Sequence, residues 1–266
     1  IRDSFSMQEF TYNNKTRMLP EDLEELSPEQ YYRYLELVIM MNTDNISPFE
    51  MKCKLISLLL NMKCNFVMCR ESIVNEINAQ LGKMNCFFYI KEEGDKVIYD
   101  PHIKTGRNLL PSYKGWIGPE DMLNDITYGQ FVQCLNLVRA MEVTRRDKDN
   151  EQADYLMSEF GRILYKNEDP KAGDIPPLVC FHSYIFFCAV WELICTVPIP
   201  INGEEINFSI LFQEQGEKRI DDKTGWIGIS FEIASSGVFG NVKQINETPF
   251  WDILLYLYKC RFESLY

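Results

Sequence analysis

The stretch Leu19–Met41, LPEDLEELSPEQYYRYLELVIMM, decides the fold. A helix start leaves backbone N–H groups without intrahelical acceptors. Ser27 offers a side-chain oxygen there. Pro28 suits the first helical position, where its missing N–H and fixed φ cost nothing, and Gln30 at the third position can reach back to complete a capping box. Tyr31, Tyr34, Leu35, Val38 and Met41 then recur at helical spacing and form one apolar stripe. The segment reads as an amphipathic helix with a marked start and a face that needs a core.

Working outward, the polar link NTDNIS leads to Pro48 and a second predicted helix, in which Met51, Leu55 and Leu58 share a face. A third helix is predicted over Ser72–Leu81, with Ile73, Ile77 and Leu81 aligned and Gly82 at the C′ position. The period then changes to that of strands. Cys86–Ile90 and Lys96–Asp100 flank a Glu-Glu-Gly-Asp turn and predict a small β-hairpin. A loop containing Pro101, Gly106 and Pro111 follows.

About one hundred residues after the first helix a similar one begins, in GPEDMLNDITYGQFVQCLNLVRAMEV. Leu26-Ser27 faces Ile126-Thr127, and Gln30 faces Gln130. Tyr31, Leu35, Leu37, Val38 and Met41 face Phe131, Leu135, Leu137, Val138 and Met141. Each copy leads through a polar link to another amphipathic helix, the second with Ala153, Leu156, Phe160 and Ile163 on one face. The recurrence is what an internal duplication leaves. It is also what any two Ser/Thr-capped amphipathic helices share.

Leu178–Pro198, LVCFHSYIFFCAVWELICTVP, is apolar enough to suggest a membrane span, which needs about 20 largely uncharged residues and usually basic flanks. Glu192 interrupts it, prolines bracket it and no basic flank is close, so a buried central helix is expected. Trp226–Asn241 carries alternating and helical signals together. Its ending, ASSGVFGN, favours a helix with Gly237 as C-cap. In the last helix Thr248 is expected to cap and Pro249 to take the first position, with Phe250, Ile253, Leu254 and Leu257 inward and Arg261 at the polar exit. The fold class is therefore mainly α: a helical bundle of two lobes with a small β-hairpin insertion. The expected lobes are residues 1–113, holding the hairpin at 86–100, and residues 114–266.

Composition narrows the function classes. The 266 residues carry 27 Lys+Arg against 39 Asp+Glu, a formal charge of −12, and the basic residues are dispersed. Affinity for nucleic acid comes largely from Lys/Arg neutralising phosphates, so a DNA-handling role is disfavoured. The densest basic run, Arg145-Arg146-Asp147-Lys148, is neutralised within itself and by Asp149 and Glu151. The nine Cys (53, 64, 69, 86, 134, 180, 188, 195 and 260) are odd in number, lie mostly in apolar runs and lack CxxC spacing, which fits free thiols in a reducing compartment. No charged segment leading into an apolar one opens the chain, so no signal peptide is expected.

Catalytic signals are sparse. His102 follows Asp100-Pro101 in a loop with no second ligand at workable spacing. His182 lies in the apolar helix and reads as a hydrogen-bonded core histidine. The pairs Glu24-Glu25, Glu92-Glu93 and Asp221-Asp222 fall in cap, turn and loop contexts that leave both carboxylates solvated. Phosphate-loop, dinucleotide and nucleophile-elbow motifs are all missing from the sequence. Catalytic, cofactor-binding and metal-binding residues are therefore all assigned as none.

Three phrases carry a resemblance. Leu19–Val38 resembles the opening of certain uncharacterised phage and prophage proteins of Bacteroidetes-type bacteria. Gly118–Val138 followed by Leu156–Lys166 is similar to their second phrase, with Tyr128-Gly129-Gln130-Phe131 and Ile163-Leu164-Tyr165-Lys166 in the matching places. Ile233–Glu263 resembles their ending, a Gly-x-Phe-Gly turn before a final helix. The resemblance implies a non-enzymatic structural or assembly protein, tail- or neck-related, located in the virion or the host cytoplasm. Its implied partners are other virion or assembly proteins or further copies of itself, with no nucleic acid and no membrane. The alternative is a bacterial enzyme or small-molecule binder with a pocket between the lobes faced by His182 and Glu192. Those two residues are about 15 Å apart along one helix, too far to act as a direct pair.

Overall fold

The computed structural model describes residues 8–12, 15–20, 22–43, 45–59, 87–93, 96–101, 103–147, 149–169, 173–212 and 224–265. The protein is mainly helical with small antiparallel hairpins, and its chain divides into two compact units, Ile1–Ile103 and Lys104–Tyr266. The Pro111 loop, expected to end the first lobe at residue 113, is counted with the second unit. Asn108 and Leu110 hydrogen-bond to residues of that unit. The predicted helix over Ser72–Leu81, together with Cys64, Cys69, Cys86 and His102, lies outside the described residues. So does much of the segment read for a signal peptide.

In the first unit, strands β1 (Gln8–Tyr12) and β2 (Lys15–Leu19) form a hairpin. A 3-10 turn at Leu23–Glu25 leads into helix α1, Pro28–Asn42. Its start is the capping box read from the sequence: the Gln30 N–H donates to Ser27 Oγ at 3.2 Å and the Ser27 N–H to Gln30 Oε1 at 3.0 Å. All five residues of the expected stripe are buried. Helix α2 (Pro48–Leu59) packs on α1 and buries Met51, Cys53, Leu55, Ile56 and Leu59, whereas Leu58 is only half-buried. The predicted hairpin is present as β3 (Phe88–Glu93) and β4 (Lys96–Pro101), pairing Ile90 with Tyr99. Tyr34 ties α1 to it, donating its hydroxyl to the Phe87 carbonyl at 2.9 Å and packing its ring against Phe87 and Phe88.

The second unit opens with a short hairpin, β5 (Ser112–Tyr113) and β6 (Trp116–Ile117). Helix α3 (Tyr128–Asp147) follows, then α4 (Asn150–Leu164) and α5 (Pro177–Thr196). The hairpin β7 (Ile199–Ile201) and β8 (Glu204–Ile206) comes next. A 3-10 turn at Phe208–Leu211 and helices α6 (Gly225–Ser236), α7 (Val242–Glu247) and α8 (Phe250–Leu265) complete it.

Helix α5 is long and apolar enough to cross a membrane by composition alone, yet it packs as a core helix. Ten of its residues are buried, and it packs on α4 and the Phe208–Leu211 turn. Phe131 of α3 sits among Phe187, Trp191, Trp226 and Phe250, stacking on the last with ring centroids 4.0 Å apart. Full burial of one such side chain contributes about 1.5–3 kcal/mol, so this cluster is a principal source of cohesion.

One cap differs from expectation. Thr248 does not N-cap the last helix; its hydroxyl donates back to the Gln244 carbonyl at 2.9 Å, closing α7, and α8 begins at Phe250 after Pro249. The link between α7 and α8 is so short that Thr248 is already used as the end of the first. The starts of α3 and α8 are instead stitched together. The Tyr128 N–H donates to the Thr248 carbonyl at 2.9 Å, and the Phe250 N–H to the Ile126 carbonyl at 3.0 Å. Each helix start thus supplies an acceptor for an orphan donor of the other.

Candidate functional site

The buried polar residues recorded for the described part are Asn108, Thr144, His182, Ser183 and Ser230. Two of them meet in the second unit. His182 is completely buried, and its Nε2 lies 2.9 Å from Asn108 Oδ1. The same Oδ1 accepts the Leu110 N–H at 2.9 Å, and Asn108 Nδ2 donates to the Pro119 carbonyl at 2.6 Å. Since Oδ1 can only accept, His182 must donate through Nε2, which sets the neutral tautomer. Its ring stacks on Phe186 at 5.6 Å and meets the edge of Tyr165, whose hydroxyl donates to the Leu110 carbonyl.

The arrangement explains why a histidine sits in an apolar helix. Burial alone drives its pKa down from 6.5 to about 3, so the ring is uncharged at neutral pH. A general base must exchange its proton with a reacting group within reach. His182 instead spends its Nε2–H on Asn108 and anchors the 104–119 segment onto α5.

The same anchoring continues into the next turn. The Asn108 N–H donates to Asp121 Oδ1 at 2.8 Å, and the Glu120 N–H to Asp125 Oδ1 at 2.8 Å. Met122 and Leu123 both have positive φ, +57° and +56°. Trp251 Nε1 donates to the Met122 carbonyl at 3.0 Å.

The other residues singled out from sequence are scattered. Glu192 is exposed while His182 is sealed, so α5 does not bring them to a common surface. Cys53, Cys134 and Cys180 are buried, Cys188 and Cys195 half-buried and Cys260 exposed. Burial raises the Cys134 thiol pKa, with Cys188 adding to it, and pushes Cys180 up to about 11. Cys195 is likewise raised to about 11 by burial and then by Glu192. These thiols stay protonated and weakly nucleophilic at neutral pH. Among the described residues, no three His, Cys, Asp or Glu side chains are placed to hold a metal ion. Of the acidic pairs, the Asp221-Asp222 residues and the Glu92-Glu93 side chains lie outside the described part.

Two features escaped the sequence reading. Asn108 carries no motif, and only its contact with His182 reveals it. Asn202-Gly203, a strong hairpin signal, has φ of +53° and +86° and makes the type I′ turn between β7 and β8. No family model matches this chain, and neither the curated proteins nor the solved structures yield a match.

Proposed function

We propose that this chain is a non-enzymatic structural or assembly protein of a phage, tail- or neck-related, that works through contacts with other virion proteins. The resemblance of Leu19–Val38, Gly118–Lys166 and Ile233–Glu263 to phage and prophage proteins supports the phage assignment. The observation that carries the contact role is on α6. This helix buries Ser230 and Ile233 on one side and leaves Ile227 and Phe231 exposed one turn apart, with Val238 exposed just beyond its end. Their exposures are 53%, 57% and 59%. Exposed apolar groups clustered on one element favour protein–protein contact over solvation.

The experiment is light scattering after size exclusion, alone and with the neighbouring gene products, together with analysis of purified virions. The expected result is association with at least one virion protein, lost in the folded double variant Ile227→Glu/Phe231→Glu. A chain that stays monomeric, binds none of them and is absent from virions would refute the proposal.

A further inference from the structure

We infer that residues 8–59 and 112–164 are two copies of one module, and that Met122 is a single residue inserted in the second copy. Each copy holds a two-stranded hairpin, a Pro-Glu-Asp tripeptide, a 3-10 turn (Leu23–Glu25 after the first tripeptide, Asp121–Leu123 starting on the last residue of the second), a capping box, a helix and a second helix. Pro20-Glu21-Asp22 matches Pro119-Glu120-Asp121 at a spacing of 99, while Leu23–Met41 matches Leu123–Met141 at 100 and the second helices, Pro48–Leu59 and Asn150–Leu164, start 102 apart. Leu23 and Leu123 are each 1% exposed, and Leu26 and Ile126 are both buried. The second capping box repeats the first. The Gln130 N–H donates to Thr127 Oγ1 at 3.2 Å and the Thr127 N–H to Gln130 Oε1 at 2.9 Å. Tyr31 and Phe131, Tyr34 and Cys134, Leu35 and Leu135, and Met41 and Met141 are buried pairwise. Even an exposed position agrees, since Met18 and Ile117 each precede the tripeptide by two residues and face solvent.

The spacing changes where the backbone is unusual. In the first copy Asp22 leads directly to Leu23, and its carboxylate accepts the Leu23 N–H at 2.6 Å. In the second, Met122 stands between Asp121 and Leu123. An extra residue there turns the following leucine away from the core unless the chain absorbs it. Two successive left-handed residues do so, at about 1–3 kcal/mol each. The Met122 N–H donates to the Gly106 carbonyl at 2.6 Å, and its carbonyl accepts from Trp251. Helices that merely share a cap and a stripe have no reason to share the preceding hairpin, the tripeptide and the buried leucine. Nor would a one-residue offset between them coincide with a strained turn. The inference stands independently of the phage assignment.

The test compares three variants of the full chain by thermal unfolding: deletion of Met122, deletion of Asn124, and replacement of Pro119–Thr127 by the Pro20–Ser27 sequence. Deleting Met122 restores the spacing of the first copy, whereas deleting Asn124 breaks the Leu123-to-Ile126 spacing that both copies keep. The expected result is cooperative unfolding, with Tm within about 5 °C of the parent, for the Met122 deletion or the replacement, and loss of the folded state for the Asn124 deletion. Loss of all three, or retention of all three, overturns the inference.

Discussion

His182 donates its Nε2–H to Asn108 Oδ1 across 2.9 Å inside a site closed to solvent. This bond joins a loop that has no regular structure to the apolar core helix α5, and it makes the stability of the second unit depend on the charge of one ring.

That dependence has a definite sign. The ring's pKa is about 3 in the folded chain against 6.5 when free, so the unfolded state takes up the proton first as the solution is acidified. The stability contribution of the neutral ring is complete above pH 6.5 and is lost progressively between pH 6.5 and about 3. The loss is about 1.4 kcal/mol per pH unit. Urea unfolding at pH 7.5 and pH 5 should show a larger fall for the parent than for His182→Gln. Equal falls in the two proteins would refute this.

Asn108→Ala leaves the Leu110 N–H, the Pro119 carbonyl and the His182 Nε2–H without their partner in a buried site. The expected cost is about 2–4 kcal/mol of unfolding free energy. Because the two residues form one network, a double-mutant cycle with His182→Phe should give a sum of single losses larger than the loss in the double variant. Strict additivity would show that the two side chains act separately.

Gly129 lies where α3 meets α7, and a Cβ built there comes within 2.9 Å of the Asn246 carbonyl oxygen. Alanine improves helix propensity by about 1 kcal/mol. The contact is with backbone, however, so the helices must separate, at a cost of about 1–3 kcal/mol. Gly129→Ala should therefore lower Tm, despite its better propensity; a rise would place the helices farther apart than described.

Asn202 holds φ at +53°, a conformation that a short amide side chain tolerates and most L-residues resist. Asn202→Ala should destabilise the β7–β8 turn by about 1 kcal/mol. Hydrogen exchange of the paired residues Ile201 and Glu204 should accelerate without a matching change at Phe131 in the core.

Much of the fold was readable because its signals are local. Ser27 and Gln30 make a capping box whatever surrounds them, and the stripe from Tyr31 to Met41 lies on one face because the helix repeats every 3.6 residues. Trp226–Ser236 was harder, being apolar on both sides. Its helical character was legible from its Gly237 terminus, and that glycine does end α6 at φ +73°. Thr248 misled for a related reason: a threonine before a proline is a good helix start, but the preceding helix had already claimed its hydroxyl.

The candidate site was legible only in half. An isolated histidine in LVCFHSYIFF indicated a satisfied core group. Asn108, its partner 74 positions away, gave no sign, because the pairing depends on a loop folding back over α5. The sequence by itself determined where helices start, which faces turn inward and that His182 needed a partner, since caps and periodicity act within a few residues. Only the tertiary structure decided which loop supplies that partner, that α3 and α8 stitch their starts together, and that α6 leaves Ile227 and Phe231 in solvent. Those outcomes depend on which distant surfaces meet, and no local pattern encodes that.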